Sequence, residues 1–145
     1  MESMIYTDFA QERERIMQVR NAVFVQEQGV PEELELDEKD ALCHHALLLM
    51  EDRPVATGRL EDDGHIGRIA VVRSCRGMGL GRRIVTFLED RARARGLRRV
   101  YLGAQLQAIP FYEKLGYRCY DEEFMDAGIV HRHMEKWLPG GSSSR

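Results

Sequence analysis

The segment 65–96, HIGRIAVVRSCRGMGLGRRIVTFLEDRARARG, constrains the fold of this chain more than any other. Ile66, Ile69, Val71 and Val72 form a short β-branched run, residues 73–81 are rich in glycine and arginine, and from Leu80 the apolar period becomes helical. Strand, glycine loop and helix follow one another directly. Gly77, Gly79 and Gly81 remove side chains that would hold a ligand off the loop amides, and the first amides of the following helix have no intrahelical partner. Free N–H groups at the positive end of a helix dipole make a phosphate site. Arg76, Arg82 and Arg83 add fixed positive charge, and the forked donors of arginine suit phosphate oxygens.

Two other phosphate fingerprints are excluded. A P-loop requires Lys followed by Ser or Thr after its last glycine, where this chain has Arg82 and Arg83. The dinucleotide pattern G-x-G-x-x-G fails at Ile84 when counted from Gly79 and at Arg82 when counted from Gly77. What remains, Arg76-Gly77-Met78-Gly79-Leu80-Gly81, fits [Q/R]-x-x-G-x-[G/A]. Downstream, YLGAQLQAIPFYEKLGY reads as a strand followed by N-x-x-A-x-x-F-Y-x-K-x-G-[F/Y], with Ala108, Phe111, Tyr112, Lys114, Gly116 and Tyr117 in place and Gln105 where asparagine is usual. The two signatures, in this order, resemble those of the GNAT superfamily of acetyl-CoA-dependent N-acetyltransferases. Residues 20–33, RNAVFVQEQGVPEE, and the last strand also resemble a GNAT subgroup that includes ElaA-like proteins. Read without the resemblance, the loop is a helix-capping turn and FYEKLGY an amphipathic helix ending on a glycine.

The resemblance implies acetyl-CoA as cosubstrate. It would lie along Ile69, Ala70, Val71 and Val72 of the central strand, with its pyrophosphate on the loop Arg76, Gly77, Met78, Gly79, Leu80, Gly81 and Arg82. Gln105, Ala108, Phe111 and Tyr112 would close its other side. A backbone amide near Val71 or Val72 would meet the acetyl carbonyl, where the strand diverges from its neighbour. Tyr112 would protonate the departing thiolate; the alternative is an aromatic core residue.

An alkylammonium of pKa about 10 must lose a proton before it attacks a thioester. His65, at the start of the central strand, and Glu27, in the segment that forms a wall of the acceptor pocket in the superfamily, are the candidate bases. Each also reads as a solvated surface residue. His44, His45, His131 and His133 lack metal-site spacing, and the superfamily chemistry needs no metal. A coenzyme-A-binding sensor without catalysis is the rival function, and a nucleotide-phosphate binder of another α/β type a third.

With 145 residues and 43% hydrophobic content, the chain is long enough to bury a core. The expected organisation is one domain over 1–138, with a disordered tail of linker composition over 139–145. No apolar run reaches the roughly 20 residues of a membrane span, and no signal peptide is evident, so a cytoplasmic protein is expected. The 3 cysteines show no paired motif, and a net charge of −3 gives no general attraction to nucleic acid.

The order of elements predicts a mixed, twisted α/β sheet with helices on both faces. A strand over 4–7 leads into a helix capped by Asp8 and Gln11, with Ile16, Val19, Val23 and Phe24 on one face and Arg20 and Glu27 toward its flank and end. A hairpin spans 46–50 and 55–60, and Asp62-Asp63-Gly64 turns into the central strand. The helix after the loop carries a stripe of Leu80, Ile84, Phe87, Leu88 and Ala92, with Arg82, Arg83, Glu89, Asp90, Arg93 and Arg95 toward solvent. A strand at 100–102, parallel to the central one, a helix at 108–115, and strands at 117–124 and 129–137 complete the chain. The acidic residues Glu32, Glu33, Glu35, Asp37, Glu38 and Asp40, and again Glu122, Glu123 and Asp126, read as solvated charge; they would also suit a cationic small-molecule or peptide amine. Dimers through the C-terminal strands are common in the superfamily.

Overall fold

The computed structural model describes residues 2–31 and 38–139. The acidic residues Glu32, Glu33, Glu35 and Asp37 and the tail from residue 140 onward lie outside the described residues. Strands β1 (Glu2–Thr7), β2 (His44–Met50), β3 (Arg53–Leu60) and β4 (Ile66–Val71) form an antiparallel sheet in that order. Strands β5 (Arg99–Gln105), β6 (Arg118–Asp126) and β7 (Ile129–Trp137) form a second, ordered β5-β7-β6. The mixed character of the sheet comes from one place: a parallel bridge between His65 and Tyr101 joins the two sheets, and beyond it β4 and β5 have no ladder.

Helices α1 (Phe9–Arg20) and α2 (Leu80–Ala94) cover opposite faces of the first sheet, and the short α3 (Ile109–Lys114) follows β5. The apolar run of β2 explains the two-sided packing. Leu47 and Leu49 pack with Phe9 and Ile16 of α1, whereas Ala46 and Leu48 join the core under Ile84 and Leu88 of α2. Alternation sends successive residues to opposite faces, so a strand covered on both must be apolar throughout. Ile16, Leu47, Leu48, Ile84 and Leu88 are wholly buried; burying each stabilises the fold by about 1.5–3 kcal/mol relative to exposure.

At the start of α1, Asp8 accepts a hydrogen bond from the Gln11 amide at 2.9 Å, and the Gln11 side chain donates to the same carboxylate at 3.2 Å. The expected spacing is present, but the glutamine does not reach back to the cap's own amide. After Arg20 the chain widens into a π-helical stretch, Asn21–Glu27, which a search for 3.6-residue periodicity does not distinguish from α-helix.

Asp40 and Glu89, read as solvent-facing, are internal, and so is Arg20, expected toward the flank of its helix. Arg20 is wholly buried, and its guanidinium donates to both oxygens of Asp40 at 2.8 and 3.0 Å. Asp40 is itself 1% exposed and also accepts from Arg59 at 2.8 Å. Glu89, on α2, is buried and accepts from the Tyr117 hydroxyl at 2.7 Å and from Lys136 at 3.0 Å. Each breaks the amphipathic pattern because its partner comes from a distant part of the chain.

Strand β4 carries a bulge opposite the interval between Thr57 and Arg59, with Arg68 at φ 51°. Gly58 lies beneath it. A Cβ there would stand 2.6 Å from Ile69 Cδ1 and 2.7 Å from Ile84 Cγ2. Gly58→Ala is therefore expected to force the bulge and α2 apart and to cost about 1–3 kcal/mol; a denaturation midpoint equal to wild type would show that the contact yields without strain.

Candidate active site

A cavity of about 1220 Å³ opens where β4 and β5 part. One end is the glycine loop. Gly79 adopts φ 78° at the start of α2 and supplies no side-chain cap. No backbone or side-chain group among the described residues accepts a hydrogen bond from the amides of residues 77–82. A row of unpaired amides converging on a helix N-terminus is suited to hold a pyrophosphate. No Cβ at Gly77 or Gly79 would meet any atom within 4 Å, so the approach is open.

The three arginines near the loop differ. Arg82 lines the cavity and has no carboxylate partner among the described residues. Arg83 is paired with Glu2. Arg76 is held by Glu27 through two hydrogen bonds of 2.6 Å, and its Nε donates to the Val71 carbonyl at 3.1 Å. Hydrogen bonding to Arg76 pulls the Glu27 carboxyl below its ordinary pKa, and the same pair raises Arg76. Arg76 thus ties the π-helical stretch to the end of β4.

Along β4, Ile69, Ala70 and Val71 line the cavity. The Val72 amide donates to the Val55 carbonyl at 2.9 Å. In an antiparallel ladder the N–H groups of adjacent residues point to opposite sides, so the Val71 amide points away from β3, toward the gap left by β5. The opposite wall is built by the second signature. Ala108, Phe111 and Tyr112 line the cavity, and Gln105 does so while bonded to Gln28 at 2.9 Å and to Gln107 at 2.6 Å. Val72, Met78 and Glu27 are not on the cavity wall among the described residues.

Tyr112 is 8% exposed, in edge contact with Phe111 and Tyr117 at ring-centroid distances of 5.0 and 5.7 Å. Its hydroxyl has no hydrogen-bond partner among the described residues, and burial pushes its pKa up. A core tyrosine normally satisfies its hydroxyl internally; this one leaves it for the cavity.

The other end of the cavity was less legible in the sequence. His65 lines it, with its ring stacked on Tyr101 at 4.9 Å and Nδ1 2.6 Å from Glu61 Oε2. Phe124 and His133 stack at 4.0 Å on the same wall, and His131 is 5.5 Å from Phe124. The alternation of β7 had placed His131 and His133 on one face; that face is the cavity's. Phe124, Tyr101 and Glu61 carry no motif; the register of β5, β6 and β7 brings Tyr101 and Phe124 to the wall that His131 and His133 share, and Glu61 meets His65 across the turn between β3 and β4.

His44 binds Tyr6 and Asp62, whereas His45 binds the Asp40 carbonyl. Among the described residues, no group of three or more His, Cys, Asp and Glu could hold a metal ion. Among the described residues, Cys43, Cys75 and Cys119 form no disulfide. No helix of the described residues is long and apolar enough to cross a membrane.

Residues 7–138 match the family model described as an acetyltransferase (GNAT) domain. A Bacillus subtilis protein named as an acetyltransferase is 46% identical over 125 residues, spanning 82% of this chain and 85% of its own. The crystal structure of an acyl-CoA N-acyltransferase from Pseudomonas aeruginosa aligns over 94% of this chain and 99% of its own, at 28% identity and a TM-score of 0.85. Escherichia coli ElaA aligns over the same shares, also at 28% identity, with a TM-score of 0.82. With both signatures on one cavity and the family model spanning nearly the whole chain, this protein belongs to the GNAT acetyltransferase family and is an acyltransferase.

Proposed function

We propose that the chain transfers an acetyl group from acetyl-CoA directly to a primary amine, without a covalent enzyme intermediate. The observation that carries this reading is the continuity of one cavity, from the unpaired amides of residues 77–82 past Tyr112 to His65. Acetyl-CoA supplies the activated thioester and a pyrophosphate suited to the glycine loop. The amides of the loop and Arg82 hold that pyrophosphate, and the Val71 N–H donates to the acyl oxygen, where negative charge grows during attack.

Tyr112 donates a hydrogen bond to the departing sulfur. Burial keeps its phenol protonated at neutral pH, but also makes full proton transfer to a thiolate, whose parent thiol has a pKa of about 8.5, uphill. Its part is to stabilise charge on sulfur as the bond breaks. His65 takes the proton of the acceptor. Glu27 is poorly suited to that task, because its lowered pKa and its two bonds to Arg76 weaken it as a base; it serves by fixing Arg76 beside the loop.

The test is thiol release from acetyl-CoA against a panel of primary amines, beside a thermal-shift titration with coenzyme A. Amine-dependent release is expected; a thermal shift without release from any amine counts against the transfer reading, and neither signal removes coenzyme A from it. Tyr112→Phe is expected to lower kcat on the order of 100-fold with coenzyme A affinity unchanged. Unchanged turnover would make Tyr112 a packing residue.

A further inference from the structure

The turn between β3 and β4 holds one ring of the cavity from three sides. Glu61 Oε2 lies 2.6 Å from His65 Nδ1. Asp63 accepts from the His65 amide at 3.1 Å and, through its other oxygen, from the Tyr101 hydroxyl in a short hydrogen bond. The Tyr101 ring lies nearly parallel to the imidazole, at 16°. Both carboxylates therefore act on His65, one directly and the other by fixing its backbone and the ring stacked on it.

We propose that Glu61 is a positioning residue that selects the tautomer of His65, leaving Nε2 as the bare nitrogen presented to the acceptor. A carboxylate accepts hydrogen bonds and does not donate them, so at 2.6 Å the proton must lie on Nδ1. The neutral ring then carries its lone pair on Nε2, which has no partner among the described residues. In water a free imidazole favours the opposite tautomer, whose Nε2 cannot take a proton. Glu61 is the group that reverses the preference. Among the described residues, the other charged groups paired with it are Lys39 at 3.8 Å and Arg59 at 4.0 Å, both beyond hydrogen-bond reach. They hold Glu61 by charge without competing for Oε2.

The inference rests on His65 being the base of the proposed transfer. In that step an N–H bond of the acceptor's ammonium breaks and an Nε2–H bond forms. The electron pair stays on the acceptor nitrogen and becomes the pair that attacks the acyl carbon. The imidazolium keeps its Nδ1–H on Glu61 and returns the Nε2 proton to solvent. Nothing is oxidised or reduced, and no further reactant is needed.

The experiment reads the tautomer directly, without an acceptor. Long-range ¹H–¹⁵N correlation spectra of the full chain, above the pH at which the ring is neutral, distinguish a protonated from a bare ring nitrogen; the peaks missing in His65→Leu assign His65. Wild type is expected to show Nδ1 protonated and Nε2 bare. Glu61→Leu is expected to move the ring to the Nε2–H form, and Glu61→Gln, which can still accept through its amide oxygen, to retain the wild-type form. With whichever amine of the panel releases thiol most rapidly, Glu61→Leu is expected to lose kcat 10- to 100-fold, with KM for acetyl-CoA unchanged.

An Nε2–H ring in wild type, or an unchanged ring in Glu61→Leu, overturns the tautomer assignment whatever the kinetics show. Full turnover by His65→Leu, with the expected spectra in wild type and Glu61→Leu, overturns the choice of base and with it the catalytic role of Glu61. A spectrum of Glu61→Leu with collapsed dispersion is answered by Glu61→Gln, which must keep both fold and tautomer if the assignment holds.

Discussion

Asp40→Ala is expected to destabilise the protein by about 3–5 kcal/mol, the cost of removing one member of a buried ion cluster. The side chain is 1% exposed, and it receives Arg20, itself wholly buried, and Arg59, 3% exposed. Removing the carboxylate takes one negative charge and three hydrogen bonds from two buried guanidinium groups. Domains of this size have about 5–15 kcal/mol in all, so a large fall in the urea midpoint should follow. A loss below about 1 kcal/mol would mean that the cluster contributes no more than an exposed ion pair does.

The same cluster sets an acid limit. Burial alone would raise the Asp40 carboxyl, but the hydrogen bonds and charges of Arg20 and Arg59 outweigh it and lower the pKa to about 2. A carboxyl with a depressed folded pKa contributes stability that is fully present above the unfolded value of about 3.9 and is lost as pH falls through about 2; here that is on the order of 2 kcal/mol. His45, buried against the Asp40 carbonyl, is pushed down by desolvation. It binds its proton more readily in the unfolded chain, so stability should begin to fall once pH drops below about 6.5. Unfolding free energies measured between pH 8 and pH 2 should decline in two stages in wild type, and Asp40→Asn should shrink the lower one, to which the other ion-paired carboxyls, Glu27 and Glu135 among them, also contribute.

Gly79→Glu should weaken coenzyme A binding on the order of 100-fold, as read by calorimetry. The new carboxylate would project into the space where the amides of residues 77–82 gather and would repel the pyrophosphate they are proposed to hold. Backbone strain is a separate and smaller effect. Gly79 sits at φ 78°, and a side chain there costs about 1–2 kcal/mol of local strain but meets no atom within 4 Å. Gly79→Ala is therefore the control, with a modest loss of stability and little loss of affinity. Equal affinities for Gly79→Glu and wild type would remove the loop from the site.

Two parts of the site were legible in the residue order for a local reason. The loop from Arg76 to Arg82 and the helix bearing Tyr112 are each built from neighbours in the chain, so the spacing of glycines and aromatics is enough to describe them. The acceptor end is different in kind. Glu61 and His65 flank one turn, but Tyr101, Phe124 and His133 come from three other strands, and the stacking of Tyr101 on His65 and of Phe124 on His133 does not follow from local spacing. Asp40 and Glu89 illustrate the same limit in the core: each reads as solvent-facing, because the pattern registers hydrophobicity and cannot register a partner twenty or more residues away.

By itself the residue order determined the succession of strands and helices, the glycine loop at the head of α2, and the GNAT family to which the chain belongs, since each is written in local periodicity, turn chemistry or contiguous motif. Only the tertiary structure decided that β4 and β5 meet at a single bridge and then part, that Arg20, Asp40 and Glu89 turn inward, and that Tyr101 stacks on His65. These depend on long-range register and on burial against distant partners, where the free energy of a side chain is set by what surrounds it more than by its neighbours in the chain.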